Sequence, residues 1–101
     1  MGSMYLYPRS PSYVEVERDG RTVFADSRPD SGNIEEWAGE HSGDLRDGDV
    51  VKYSTISQFG GKFTKIVHNG RLIPLSSEQA RLLEAGLPHT FDGSGELIFP
   101  L

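Results

Sequence analysis

Three glycine-bearing dipeptides, Asp19-Gly20, Gly60-Gly61 and Asn69-Gly70, divide much of the chain into short runs rich in β-branched and aromatic residues. Asp-Gly and Asn-Gly accept the positive φ of tight hairpin turns, so a chain punctuated this way folds as successive antiparallel strands. Around Asp19-Gly20 the pattern pairs Arg18 with Arg21 and places Val14, Val16, Val23 and Ala25 on one inward face. Val50 to Ser57, Lys62 to His68 and Arg71 to Leu75 read as a three-stranded meander around the other two turns.

Helix signals interrupt the strands twice. Ser76 with Gln79 forms a capping box, Leu75 and Ala80 are spaced as a hydrophobic staple, and Gly86 and Pro88 supply the stop. The expected helix runs from Ser76 to Ala85 with Ala80, Leu83 and Leu87 as its buried stripe. A second, short helix is expected after Asn33, whose side chain can cap it. Glu35 and Glu36 then lie at the positive end of its dipole, and Ile34 and Trp37 turn inward. Thr90 to Phe99 can close a last hairpin.

These elements predict an α+β fold: a small, twisted, mostly antiparallel sheet of five to seven short strands with a packed helix in the C-terminal half. A β-grasp-like ββαββ order and an open barrel are the two architectures that fit. At 101 residues the chain has room for one core. Met1-Gly2-Ser3 reads as an expression scar and residues 4–101 as a single domain. No window approaches the roughly 18 apolar residues of a membrane span, so the expectation is a cytoplasmic protein without membrane contact. Cysteine is absent, which excludes disulfides, thiolate metal ligands and a cysteine nucleophile.

Charge is segregated along the chain. Between Ile34 and Asp49 stand Glu35, Glu36, Glu40, Asp44, Asp47 and Asp49 against Arg46 alone, a local balance equal to the net charge of −5. From Val50 to Ser77 there is no acid, while Lys52, Lys62, Lys65 and Arg71 are present. Two surfaces follow as candidates. Glu35, Glu36, Glu40, Asp44 and Asp47 can present an anionic face to a basic protein or nucleoprotein partner, as the charge-based inhibitors and adaptors of phages and mobile elements do. Alternatively, a two-residue turn at Gly60-Gly61 would set Phe59 opposite Lys62. Tyr53, His68 and Arg71 would then share one row, with Lys62 on the same face and Lys52 and Lys65 on the other, suited to an anionic small molecule or nucleotide.

Motifs for chemistry are sparse. Gly60-Gly61-Lys62 matches only part of a phosphate-binding loop, because Phe63 stands where a hydroxyl is needed and a strand follows. His41 lies among Glu36, Glu40, Asp44 and Asp47 without the spacing of a known metal site, and no metal or cofactor is expected. No serine sits in a nucleophile elbow. The leading expectation is a non-catalytic binding module, with a nucleotide receptor second and a small hydrolase third. Four cations on an acidic chain disfavour genomic DNA as ligand. A homodimer stays open, since Tyr5, Tyr7 and Phe99 could be covered by a second copy.

Overall fold

The computed structural model describes residues 9–55 and 62–100. Strands β1 (Pro11–Arg18) and β2 (Arg21–Ser27) form the first hairpin, followed by helix α1 (Ile34–Glu40). Strands β3 (Val50–Thr55), β4 (Lys62–His68) and β5 (Arg71–Pro74) precede helix α2 (Ser77–Glu84) and a small hairpin of β6 (Thr90–Phe91) and β7 (Leu97–Ile98). The large sheet has the order β2-β1-β3-β4-β5, with every neighbouring pair antiparallel. This is the expected α+β class, and among the described residues the sheet does not close into a barrel. The ββαββ order is present, but the central pair β1·β3 is antiparallel. Because β2 and β3 both run against β1, they share a direction, and α1 carries the chain across β1 from one to the other.

Local turn chemistry behaves as the sequence indicates. Asp19 and Gly20 have φ of 55° and 78°, and Asn69 and Gly70 have 52° and 74°, the paired positive values of type I′ turns. Arg18 opposes Arg21 and His68 opposes Arg71 across them. Asn33 caps α1 by accepting from the Glu36 amide, and the Ser76–Gln79 capping box opens α2. α1 ends at Glu40 with His41 as its C-cap.

Two registers differ from expectation, each for a reason beyond local sequence. In the first hairpin a bulge at Val23 lets Val16 pair with Phe24 and Glu17 with Thr22. Phe24 and Asp26 therefore join Val14 and Val16 on the core face, while Val23, 42% exposed, and Ala25 face solvent. In the meander Tyr53 opposes Phe63, not His68, a slip of five residues that, being odd, exchanges the two faces. The expected Gly60-Gly61 turn, the Phe59 pairing, Ser57, Tyr5 and Tyr7 lie outside the described residues.

The core sits between α1 and one face of the sheet. Val14, Val16, Val51 and Trp37 are wholly buried there, with Ile34, Tyr53 and Val67 nearly so. Each fully buried large apolar side chain contributes about 1.5–3 kcal/mol. Phe24, Ala38, Leu45 and Leu72 close the margins. On the reverse face Ile66 is wholly buried, but α2 itself has no buried residue. Ala80 and Leu83 are half-buried, and Leu87, expected in the same stripe, is exposed beyond the helix end. The helix is tethered by Lys52, which bonds Glu84, and by Gln79, which bonds the Leu97 carbonyl.

Candidate functional site

The geometry of α1 follows from its 3.6-residue period. Ile34 and Trp37 point into the core, so Glu36 and Glu40, one turn apart, point away from it. The chain then passes through exposed Ser42, Gly43 and Asp44, tucks Leu45 against the core, exposes Arg46 and Asp47, and buries Asp49. Gly48, with φ of 94°, makes the bend that carries Asp49 inward. Asp49 is 1% exposed and fully partnered. It accepts from Arg18 Nε at 2.8 Å, Arg18 Nη2 at 2.7 Å and the Arg46 amide at 2.9 Å. Burial alone would raise its pKa, but the Arg18 guanidinium and the Arg46 amide more than offset this and hold it below the ordinary aspartate range.

Arg18 also donates to the Asp44 carbonyl at 3.1 Å, so one guanidinium at the end of β1 fixes both sides of the acidic loop. Its positioning role was not among the expected site residues. The signal was present: Arg18 directly opposite Arg21 is a like-charge pair that calls for a nearby carboxylate.

Of the six acids between Ile34 and Asp49, two are absorbed by the fold. Asp49 is one. Glu35 is the other, paired at 2.5 Å with Lys65, whose hydrogen bond holds the Glu35 pKa below the usual carboxylate range. Glu36, Glu40, Asp44 and Asp47 form no ion pair among the described residues. Glu40 accepts from the Ser31 hydroxyl at 2.6 Å and Asp47 accepts weakly from the Gly70 amide at 3.4 Å, neutral donors that leave both charges in place.

His41 does not belong to this acidic group. Its ring stacks on Trp37 at 4.3 Å and its Nε2 lies 3.8 Å from Asp26, which also accepts from Trp37 Nε1 at 2.9 Å. Among the described residues no group of three or more His, Asp or Glu side chains is placed to hold a metal ion. Ring nitrogens of His41 and His89 face the Trp37 and Leu87 carbonyls, and that of His68 faces the Asn69 amide.

The alternative ligand residues are not assembled on one face. Tyr53 is 8% exposed on the α1 face, stacked on Phe63 at 5.3 Å, and burial raises the pKa of its phenol. His68 lies on the reverse face, where Phe91 covers its ring at 3.7 Å and 10°. Lys62 begins β4 opposite Ser54, about 20 Å along the strand from His68. Arg71 remains beside His68 at the sheet edge. Lys52 and Lys65, expected together, project to opposite faces. Lys52 is held between Glu17 at 3.0 Å and Glu84 at 2.5 Å, and Lys65 by Glu35.

A groove of about 400 Å³ runs between α1 and the β4–β5 edge. Ala38, Leu45, Val67 and Leu72 contribute apolar surface to it, and Asp47 and Arg71 line it as well. No helix among the described residues is long and apolar enough to cross a membrane. No family model, curated protein or solved structure matches this chain.

Proposed function

We propose that this chain is a non-catalytic binding module that engages a basic protein or nucleoprotein partner through the outer face of α1 and the loop after it, as an inhibitor or adaptor. One observation carries the reading: neutralisation is lopsided. Two cations of the basic meander, Lys52 and Lys65, are spent on Glu17, Glu84 and Glu35. Glu36, Glu40, Asp44 and Asp47 keep their charges without an ionic partner among the described residues. An anionic field presented on a rigidly anchored loop steers a cationic partner and disfavours anionic ones. The nucleotide reading draws less support, because its four residues stand on two faces and both of its rings are already stacked.

The test is capture of partners on immobilised protein, read by mass spectrometry, with the wild type beside the triple variant Glu36→Lys, Glu40→Lys, Asp44→Lys. All three positions are exposed, so the melting temperature should stay within a few degrees of wild type. The reading expects the captured partner to be lost from the variant and weakened by salt in the wild type. Unchanged capture by the folded variant contradicts it.

A further inference from the structure

The two edges of the large sheet end differently. β5 is four residues long and finishes at Pro74, which has no amide proton to offer, whereas β2 runs for seven residues without proline. Across a two-residue turn the flanking pair, Arg18 and Arg21, is of the hydrogen-bonded kind, and at the far end the Arg28 amide bonds the Ser12 carbonyl at 2.9 Å. The ladder to β1 therefore leaves the N–H and C=O groups of Thr22 and Ala25 pointing outward, where they meet no backbone partner among the described residues. The same edge carries two unmatched charges. Arg21 is exposed, faces Arg18, and forms no ion pair among the described residues. Asp26 accepts from Trp37 Nε1 through Oδ2, and its Oδ1 accepts no hydrogen bond among the described residues. Both side chains stand on the α1 face, although five positions is an odd interval, because the Val23 bulge inserts a residue between them.

We propose that β2 pairs antiparallel with β2 of a second copy of this chain around a two-fold axis, joining the two sheets into one. Setting Thr22 opposite the second copy's Ala25 aligns outward-pointing groups on both strands, and each such pair exchanges both of its N–H···O bonds. In this register Arg21 falls opposite the second copy's Asp26 on the α1 face, at the close spacing of a non-hydrogen-bonded pair, and the two-fold repeats the ion pair. The edge is thus its own complement: Arg21 and Asp26 lie at opposite ends of β2, so the same strand reversed supplies the partner that each lacks. Both copies carry the extra residue at Val23, so neither strand is in excess, and Val23, 42% exposed in one chain, is covered beside the second copy's Phe24. A register centred on Ala25 also preserves the faces, but it sets Asp26 against Phe24 and leaves Arg21 without a carboxylate, so charge selects the first. The helices clear each other, because the two β1 strands stand three strand spacings, about 14 Å, apart and packed helices need only about 8–10 Å. A contact one strand wide is smaller than the roughly 1,200 Å² of tight dimers, so association depends on concentration.

The experiment is sedimentation velocity of the full chain from about 10 μM to about 1 mM, with amide hydrogen exchange followed at both ends of that range. The wild type should pass from monomer to dimer as concentration rises. Exchange at the Thr22 and Ala25 amides should slow several-fold over the same range, while the amides of β5 stay unchanged. Ala25→Pro removes one outward donor without touching the ladder to β1, and Arg21→Glu sets like charges in the seam. Each should weaken dimerisation about tenfold or more, whereas Arg21→Lys should dimerise as wild type. Arg21 is exposed, so Arg21→Glu keeps the monomer's melting temperature within a few degrees and decides the matter even if the proline variant fails to fold. A monomer at every concentration, a dimer whose Thr22 and Ala25 amides still exchange fast, or undiminished dimerisation of Arg21→Glu overturns the proposal. Protection of those two amides that does not vary with concentration assigns the edge to a cover within the chain and overturns it as well.

Discussion

Replacing Asp49 with asparagine removes one charge from the joint that anchors the acidic loop and changes little in size. The aspartate accepts three hydrogen bonds, two of them from the Arg18 guanidinium. Asparagine offers one acceptor oxygen, so its amide nitrogen must face a donor from Arg18 or Arg46. A hydrogen bond to a charged group contributes about 1.5–3 kcal/mol, and a buried donor facing another donor costs about as much again. Arg18 is 26% exposed and regains some hydration, which leaves a net loss of about 2–4 kcal/mol. For a domain of this length that is a fall of about 10–25 °C in melting temperature. Asp49 has a lowered pKa in the folded state, so its contribution is present above the unfolded-state value and is lost as pH falls through the folded one. Calorimetry of both proteins at neutral pH should show the full gap, and the gap should narrow below about pH 4. A shift under 3 °C, or one that stays constant down to strongly acid pH, would refute the argument; the first would mean that the Arg18–Asp49 contact adds nothing.

Three further outcomes follow from particular contacts. Val23→Ser should change stability by less than about 0.5 kcal/mol, whereas Phe24→Ala should cost about 2–4 kcal/mol in urea denaturation, because the bulge turns Phe24 and not Val23 toward Trp37. Burial alone would lower the pKa of Lys52, but Glu84 and Glu17 raise it overall. Its stabilisation is therefore complete at neutral pH and disappears as pH rises through the raised value, so the stability gap between wild type and Lys52→Met should close in strongly alkaline solution. Gly39→Ala should raise the melting temperature by a few degrees, equivalent to about 0.5–1 kcal/mol, since its methyl group meets open space.

What sequence could supply was set by short-range chemistry. Asp19-Gly20 and Asn69-Gly70 fix their own φ values, Asn33 and Ser76 satisfy amides three residues away, and all four were readable without tertiary information. Faces were harder, because one inserted residue reverses everything beyond it. The Val23 bulge brings Phe24 onto Trp37 and Asp26 to the indole nitrogen, contacts with α1 that nothing within the hairpin announces. In the meander Tyr53 meets Phe63, and the expected row with His68 does not form, a register that no residue within either strand announces. At the candidate site, composition revealed the excess of acid but not its division. Only three-dimensional placement shows Glu35 and Asp49 consumed by Lys65 and Arg18 while four neighbours keep their charge.

That division can be measured residue by residue through the near-surface potential, by comparing amide-proton relaxation from a cationic and an anionic nitroxide cosolute. A strongly negative potential should centre on the amides of Glu36 to Asp47, with values near neutral along Lys62 to His68. A potential spread evenly over the molecule, or a strongly positive band along β4, would contradict the account.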